Sequence, residues 1–430
     1  MKSLVELSQR RSERLFLVGA DWKREGAADV EESLSELAAL AATAGGEVVG
    51  KGVQRLQAPM AATFIGSGKA AEFARFCREN TVDTVVFDDE LSPAQTRNLE
   101  RIFECKILDR TALILDIFAQ RARTREGKLQ VELAQLRHLL PRLTRFWTHL
   151  SRQKGGIGMR GEGETQLETD QRKVMERILR ITRELNEVRR QRSTQRAGRR
   201  RHVWPLASIV GYTNAGKSTL LNALTGAKVL VEDKLFATLD PTTRRLRLPT
   251  NQSVLLSDTV GFIRKLPHGL VEAFKATLEE VAVADLLIHV VDVSQPQARD
   301  QMRAVHDVLS EIGAAGKPAL VVLNKTDRLD DHGALARWAA ELPEAVPVSA
   351  LRGEGFAELL AALGACLRPA RELVELEIPH TAAAVLARAH AVGQVLSQAH
   401  RAKGTRLKVR VPPHLQSEFA PYLIPARRRG

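Results

Sequence analysis

The chain has no apolar run near the roughly 18 residues that a membrane-spanning helix needs. Its longest apolar stretches, such as Leu286–Val291, are of strand length, so no integral membrane segment is expected. The first residues, MKSLVELSQRRSER, contain no apolar h-region, so no secretory leader is expected either. Cysteine is scarce: Cys77, Cys105 and Cys366 lie far apart and form no CxxC pair. That excludes a disulfide framework and a thiolate zinc site, fits a reducing cytoplasm, and leaves the thiols as small buried hydrophobes. The 11 histidines are scattered, and His138, His149 and His289 show no ligand spacing.

What is present is ordinary in bulk and uneven in distribution. Apolar residues make up 44% and charged residues 27% of 430, the composition of a globular chain with two to four domains. The net charge is +13, and residues 121–201 alone hold 22 Lys/Arg against 9 Asp/Glu. The other residues hold 42 basic and 42 acidic side chains, so one segment carries the whole excess. Charge concentrated in this way points to a polyanionic partner at that segment.

Residues 14–120 alternate β-rich runs (15–18, 47–53, 84–87, 105–109) with amphipathic stretches (30–42, 69–80, 92–103), which predicts a small α/β domain with a mostly parallel sheet. The segment 124–200 has two heptad seams, Leu129, Leu133, Leu136, Leu140, Leu143 and Val174, Ile178, Ile181, Leu185, Val188. Between them Gly155, Gly156, Gly158, Gly161 and Gly163 exclude helix. The pattern predicts an antiparallel helical hairpin with a glycine-rich tip and a reach of roughly 30–45 Å. Pro141 is expected to end or kink the first arm. Arg152, Lys154 and Arg160 border the tip, with Phe146 and Trp147 before it, a set suited to RNA phosphates and unstacked bases; a merely solvated coiled coil is the bland alternative. Strand–helix alternation resumes over 205–368, with strands near 207–210, 253–257, 286–293 and 319–323. The tail is expected to fold as strand (372–378), helix (381–400) and strand (405–411). The expected boundaries are therefore 1–120, 121–202, 203–369 and 370–430.

Four motifs carry the chemistry. Gly211-Tyr212-Thr213-Asn214-Ala215-Gly216-Lys217-Ser218 matches GxxxxGK[ST] between a strand and a helix, with Thr219 following. Its amides cradle phosphates, Lys217 neutralises the β/γ charge, and Ser218 is a Mg²⁺ ligand. Asp258-Thr259-Val260-Gly261 follows the next apolar strand; Asp258 would hold Mg²⁺ through a water, and the Gly261 amide would meet the γ-phosphate. Asn324-Lys325-Thr326-Asp327 reads the base, because the Asp327 carboxylate accepts a pair of hydrogen bonds that guanine offers and adenine lacks. Ser349-Ala350, followed by Leu351, is expected to bring a backbone amide to the guanine oxygen. All four fall at strand carboxyl ends, where open α/β sheets bind ligands. Phe236-Ala237-Thr238-Leu239-Asp240, continuing to Thr243, supplies a first switch, whose Mg²⁺-binding threonine is either Thr238 or Thr243. The order implies an α/β chain built around a P-loop GTPase domain. Phe262 stands where Ras-like enzymes place a water-orienting glutamine, so slow intrinsic hydrolysis is expected. Asn214 either coordinates a monovalent cation beside the phosphates or shapes the loop. Gly66-Ser67-Gly68-Lys69 imitates a phosphate loop but fails the template, and a close turn into a helix is the expected reading.

These residues resemble the HflX family of translation-associated GTPases, of the Obg/HflX-like type. The marks are GYTNAGKSTLLNAL (211–224), FATLDPTTR (236–244), SDTVGF (257–262), FIGSGK (64–69) and GGIGMRGEGETQLETDQR (155–172). The resemblance covers nearly the whole chain and is weakest in the last 60 residues. It implies a cytoplasmic GTPase, a monomer off the ribosome, that binds GTP and Mg²⁺ and associates with the large ribosomal subunit through the hairpin. It also implies the splitting of stalled or idle 70S ribosomes, Thr238 as the switch ligand, and potassium stimulation through Asn214. Lys217, Asn214 and Thr238 are then the catalytic set. The competing readings are a GTP-dependent ribosome-assembly or RNA-modification factor and a non-catalytic GTP-gated adaptor.

Overall fold

The computed structural model describes residues 12–22, 27–143, 162–200, 204–226, 235–240, 242–250, 252–265, 278, 280–329, 332–367, 372–401, 404–411 and 415–424. The chain divides into two compact units. One comprises residues 1–194 with two later stretches, 232–240 and 265–277; the other comprises 195–231, 241–264 and 278–430.

The first unit opens with β1 (Arg14–Trp22), α1 (Ala27–Ala44), β2 (Glu47–Leu56), α2 (Ser67–Glu79), β3 (Thr84–Phe87), α3 (Pro93–Phe103), β4 (Lys106–Asp109) and α4 (Arg110–Arg121). The four strands form a parallel sheet of order β2-β1-β3-β4. Its centre is read directly from the chain: Leu15–Val18 and Thr84–Phe87 are buried throughout, as parallel strands covered on both faces must be. Ser92 caps α3 through a reciprocal capping box with Gln95, and Pro93 starts the helix. Gly66 donates its amide to Gln54 Oε1 (2.9 Å), and Lys69 pairs with Glu72 (2.7 Å) as the chain enters α2. The expected pattern omitted α4. Asp109 caps it through Ala112 N, and Leu113, Ile114, Leu115, Ile117 and Phe118 bury its apolar side. Of the thiols, Cys77 is buried, but Cys105 is half-buried and Cys366 exposed, which corrects their uniform reading as core residues.

The hairpin arms are α5 (Arg125–Leu143) and α6 (Glu162–Arg200). Leu129, Leu133, Ile181 and Leu185 form their shared core, with Leu136 and Ile178 packed against it. Arg177 clasps Glu132 with two hydrogen bonds of 2.6 Å across the arms. α5 runs two residues beyond Pro141, so the proline neither ends it there nor prevents its last turn. Gly163 is the second residue of α6, which corrects its exclusion from helix: a first-turn glycine costs only backbone entropy. The remaining tip residues named above, Phe146, Trp147, Arg152, Lys154 and Arg160 with the glycines 155–161, lie outside the described residues, as does His149.

In the second unit, β5 (Leu206–Gly211), α7 (Lys217–Thr225), β6 (Thr242–Arg247), β7 (Ser253–Asp258), β8 (Leu286–Asp292), α8 (Ala298–Glu311), β9 (Ala319–Asn324), α9 (His332–Glu341), β10 (Val346–Pro347) and α10 (Phe356–Cys366) follow in order. The sheet order is β10-β9-β8-β5-β7-β6, parallel except for β6, which runs antiparallel to β7. Ile209, Leu220, Val254, Leu256, Ile288, Val290, Val322 and Leu363 lie in its core. The tail forms a three-stranded antiparallel sheet of order β11-β13-β12, where β11 is Glu372–Pro379, β12 Gln394–Arg401 and β13 Gly404–Val411, with α11 (Ala383–Val392) alongside. This corrects the single helix expected over 381–400. Gly393 stops α11 in an extended conformation, and the residues after it pair with β13 instead.

Candidate nucleotide site

Three parallel strands deliver the site to one sheet edge. β5 ends at Gly211 and opens the phosphate loop, β7 ends at Asp258, and β9 ends at Asn324. Gly216, at φ 94°, begins α7 in a left-handed conformation, with Asn324 so close that a Cβ would collide with its amide nitrogen. Glycine is therefore required there by sterics. Asn214 also adopts a left-handed backbone, φ 60°, a conformation asparagine tolerates better than most residues.

The side expected to hold the phosphates is linked by hydrogen bonds. Ser218 Oγ donates to Asp258 Oδ2 at 2.6 Å, and Asp258 is fully buried. The Thr259 hydroxyl donates to the Ile209 carbonyl at 2.6 Å and locks the start of DTVG against β5. A Cβ on Gly261 would stand 2.8 Å from Thr213 Cα and 3.0 Å from Lys217 Nζ, so its amide edge approaches the loop closely. Lys217 is buried, and its Nζ donates to the Tyr212 carbonyl at 2.7 Å. Burial pushes the Lys217 ammonium down to about 8, nearby Lys325 adds to this, and Asp258 opposes it. A buried ammonium so depressed is suited to an anion that would restore its charge.

Phe262 is 2% exposed. Its amide donates to the Gly211 carbonyl (3.1 Å) and its carbonyl accepts from Thr213 N (2.7 Å). The residue therefore ties DTVG to the phosphate loop by its backbone while its ring is packed in the core. Nothing in it can orient a water.

The side expected to read the base is built from the two remaining motifs. Asn324 Nδ2 donates to the Ala215 carbonyl (2.8 Å), and its Oδ1 accepts from Ala350 N (3.0 Å). One side chain thus joins the phosphate loop, NKTD and the Ser349-Ala350 turn; the Ala350 amide expected to face the base is engaged by Asn324. Ser349 Oγ donates to Asp327 Oδ1 at 2.6 Å and orients that carboxylate. Thr326 N donates to the Val348 carbonyl (3.3 Å), while Leu351 is 76% exposed.

Sequence reading missed several supports. Asp292, at the end of β8, holds Lys325 Nζ at 2.7 Å and accepts from Ser294 Oγ at 2.6 Å. The Tyr212 hydroxyl accepts from Arg264 N (2.8 Å), beyond what the loop template specifies. An aspartate closing the apolar strand LLIHVVD was the available signal for the first; the second leaves none. Thr243 lies inside β6 opposite Ser257, with its hydroxyl 3.4 Å from both Ser257 Oγ and Glu280 Oε2. Thr238, Ala237, Leu239 and Asp240 fall in the stretch that belongs to the first unit, where Leu239 is buried. Val260 is buried next to Gly261.

A doubly connected phosphate loop, an acidic strand end beside its serine, and a serine-oriented NKTD aspartate define a P-loop GTPase. Comparison with known families gives matches described as "GTP-binding GTPase N-terminal" over residues 31–119, "GTP-binding GTPase Middle Region" over 121–199 and "50S ribosome-binding GTPase" over 207–325. The chain is 52% identical over 333 residues to the GTPase HflX of Escherichia coli K12, covering 77% of this chain and 78% of that protein. It is 46% identical over 420 residues to the GTPase HflX of Lacrimispora saccharolytica, covering 98% of each. The chain belongs to the HflX family of GTPases. It binds GTP and GDP and hydrolyses GTP. Among solved structures it is similar to a GTP-binding protein from Sulfolobus solfataricus in complex with GDP, at 25% identity and TM-score 0.43, covering 82% of this chain and 98% of that one.

Proposed function

We propose that this GTPase acts on the ribosome, binding the large subunit through its basic hairpin and splitting stalled or idle 70S particles when GTP is bound. The observation that carries this reading is the charge distribution. Residues 121–201 hold the chain's entire +13 excess and coincide with two long helices, whereas the remaining residues are balanced. Such an arm offers rRNA a cationic, extended surface that a neutral GTPase domain lacks. The family matched over 207–325, described as a 50S ribosome-binding GTPase, supports it. On this reading the working division of the chain is 1–120, 121–202, 203–369 and 370–430, and the place of action is the cytoplasm. Among the described residues no helix is long and apolar enough to cross a membrane.

The site residues fit a Mg²⁺-nucleotide. Ser218 Oγ and Asp258 Oδ2, 2.6 Å apart, are hard oxygen donors beside the phosphate loop, and Mg²⁺ takes few protein ligands and keeps waters and phosphates. Ser218 and Thr238 would hold the ion and Asp258 would hold one of its waters; bound there, Mg²⁺ neutralises charge developing on the phosphates. Support for Thr238 over Thr243 is that the Thr243 hydroxyl is placed within the β6–β7 pair beside Ser257 and Glu280. Lys217 compensates the β/γ oxygens, Gly261 N faces the γ-phosphate, and Asp327 selects guanine. Asn214, left-handed inside the loop, would turn its amide oxygen to a potassium ion. Because Phe262 is packed away, water positioning falls to another group, and a bound ribosome is the source we favour.

Sedimentation of 70S ribosomes with the full chain tests this. A non-hydrolysable GTP analogue should move material from the 70S peak to 50S and 30S, and GDP should not. An unshifted 70S peak with every nucleotide would overturn the reading in favour of an assembly factor or adaptor.

A further inference from the structure

The stretch that carries Thr238 is anchored on both sides, within the first unit, two residues before and two residues after the threonine. On one side, Phe236 is 2% exposed and packs edge-on against Phe118 of α4, with ring centroids 4.7 Å apart. Its backbone is left-handed, φ 55°, which an aromatic residue adopts only when its surroundings hold it there. On the other side, Asp240 Oδ2 accepts from Arg123 N and Thr124 N, both at 2.9 Å. Its Oδ1 accepts from the Thr124 hydroxyl, and that hydroxyl in turn accepts from Gly127 N at 3.0 Å. Arg123 and Thr124 immediately precede α5, the first arm of the hairpin; the Thr124 hydroxyl caps that helix at Gly127 N, and Asp240, 116 residues away from Thr124, holds the capping residue in place. Its negative charge also meets the positive end of the helix dipole. Gly127 leaves room for it: a Cβ there would stand 2.5 Å from Asp240 Oδ1.

We propose that Phe236 and Asp240 are positioning residues. They fix the strand of chain between them so that Thr238 is preorganised for the GTP-bound metal, and they make the cap of α5 part of the same equilibrium. The coupling is reciprocal: whatever loosens the start of the hairpin arm weakens the engagement of Thr238 by the same factor, and engagement of Thr238 tightens the arm. The inference rests on Thr238 being the switch ligand. A second anchor follows DTVGF. Lys265 Nζ lies 2.7 Å from Asp88 Oδ2 and 3.0 Å from Asp89 Oδ1 at the carboxyl end of β3. Burial alone would lower the Lys265 ammonium, but the two carboxylates outweigh it and raise it above the ordinary lysine value.

The test is Gly127→Ala in the full chain. The substitution lies outside the nucleotide site and favours helix, while the added methyl displaces the Asp240 carboxylate; GDP binding reports that the variant is folded. Affinity for a non-hydrolysable GTP analogue with Mg²⁺ should fall about 5-fold or more, the low end of measured coupling factors. GDP, which lacks the γ-phosphate that engages the switch, should bind within about 2-fold of wild type. Asp240→Ala should give the same loss, with no further loss in the double variant. Hydrogen exchange of amides 125–130 should be slower with the analogue than with GDP in wild type and equal in Gly127→Ala. If Gly127→Ala binds the analogue as tightly as wild type, or more tightly, the coupling is overturned. Thr238→Ala separates the two layers: if it leaves analogue binding unchanged, the reading of Thr238 fails, whereas a weakened Thr238→Ala beside a silent Gly127→Ala overturns the coupling alone.

Discussion

Burial lowers the proton affinity of Lys217, whose Nζ donates to the Tyr212 carbonyl. Its value of about 8 lies below that of the same lysine in an unfolded chain, about 10.4. Between these limits the unfolded chain binds more protons, so this lysine makes stability rise with pH across that window. Phosphate binding reverses the sign, since it restores the charge and takes up a proton. GDP affinity should therefore fall as pH rises through 8, by about 20-fold between about 7.5 and 9.5, with proton uptake visible in calorimetry at about pH 8.5 in buffers of different ionisation enthalpy. A flat profile would contradict this. Ser349 Oγ donates to one oxygen of Asp327 at 2.6 Å, and on the proposed reading the carboxylate pairs with guanine. Asp327→Asn should move the preference from guanine toward xanthine nucleotides, read by competition binding; an unchanged preference would remove Asp327 from this role. The placement of their motifs was legible, because GxxxxGK[ST] and NKTD each stand directly at the end of an apolar run that folds as a strand. Asp292 and Asn324's double role were not, because they act on other protein groups and follow no template.

The elements divide in the same way. Heptad spacing located the hairpin seam, and Leu129, Leu133, Ile181 and Leu185 form its core. Ile181 is fully buried there, so Ile181→Ala should cost about 2–4 kcal/mol of local stability. Hydrogen exchange along α5 and α6 should register that loss while GDP affinity stays at the wild-type value. Elements whose fate depends on distant partners were less legible. Gln394–Arg401 continues a helical pattern, and only pairing with β13 makes it a strand. α4 is buried on much of its circumference and therefore lacks the amphipathic stripe that announces a helix. The Thr238 stretch carries no sequence mark of its attachment to the turn before α5, since Asp240 and Thr124 lie 116 residues apart.

At the scale of the whole molecule, the charge is uneven, with the whole +13 excess carried by residues 121–201. Binding of the full chain to large subunits should weaken steeply with salt, as counterion release requires, and charge-neutralising substitutions within 121–201 should flatten that slope. Retained binding with an unchanged slope would move the contact elsewhere. The bulk of the fold was legible in alternation, heptads and four ordered motifs. The grouping of residues 232–240 and 265–277 with the N-terminal unit was not, since it is a property of folded contacts. The central claim is a GTPase whose chemistry waits on a partner, because the residue after Gly261 is a buried phenylalanine. Single-turnover GTP hydrolysis by the full chain, alone and with purified 50S subunits, tests it most directly. The account predicts a rate well below about 1 s⁻¹ alone and at least a 10-fold rise with subunits. A rate near 1 s⁻¹ or faster without any partner, or no rise with one, would contradict it.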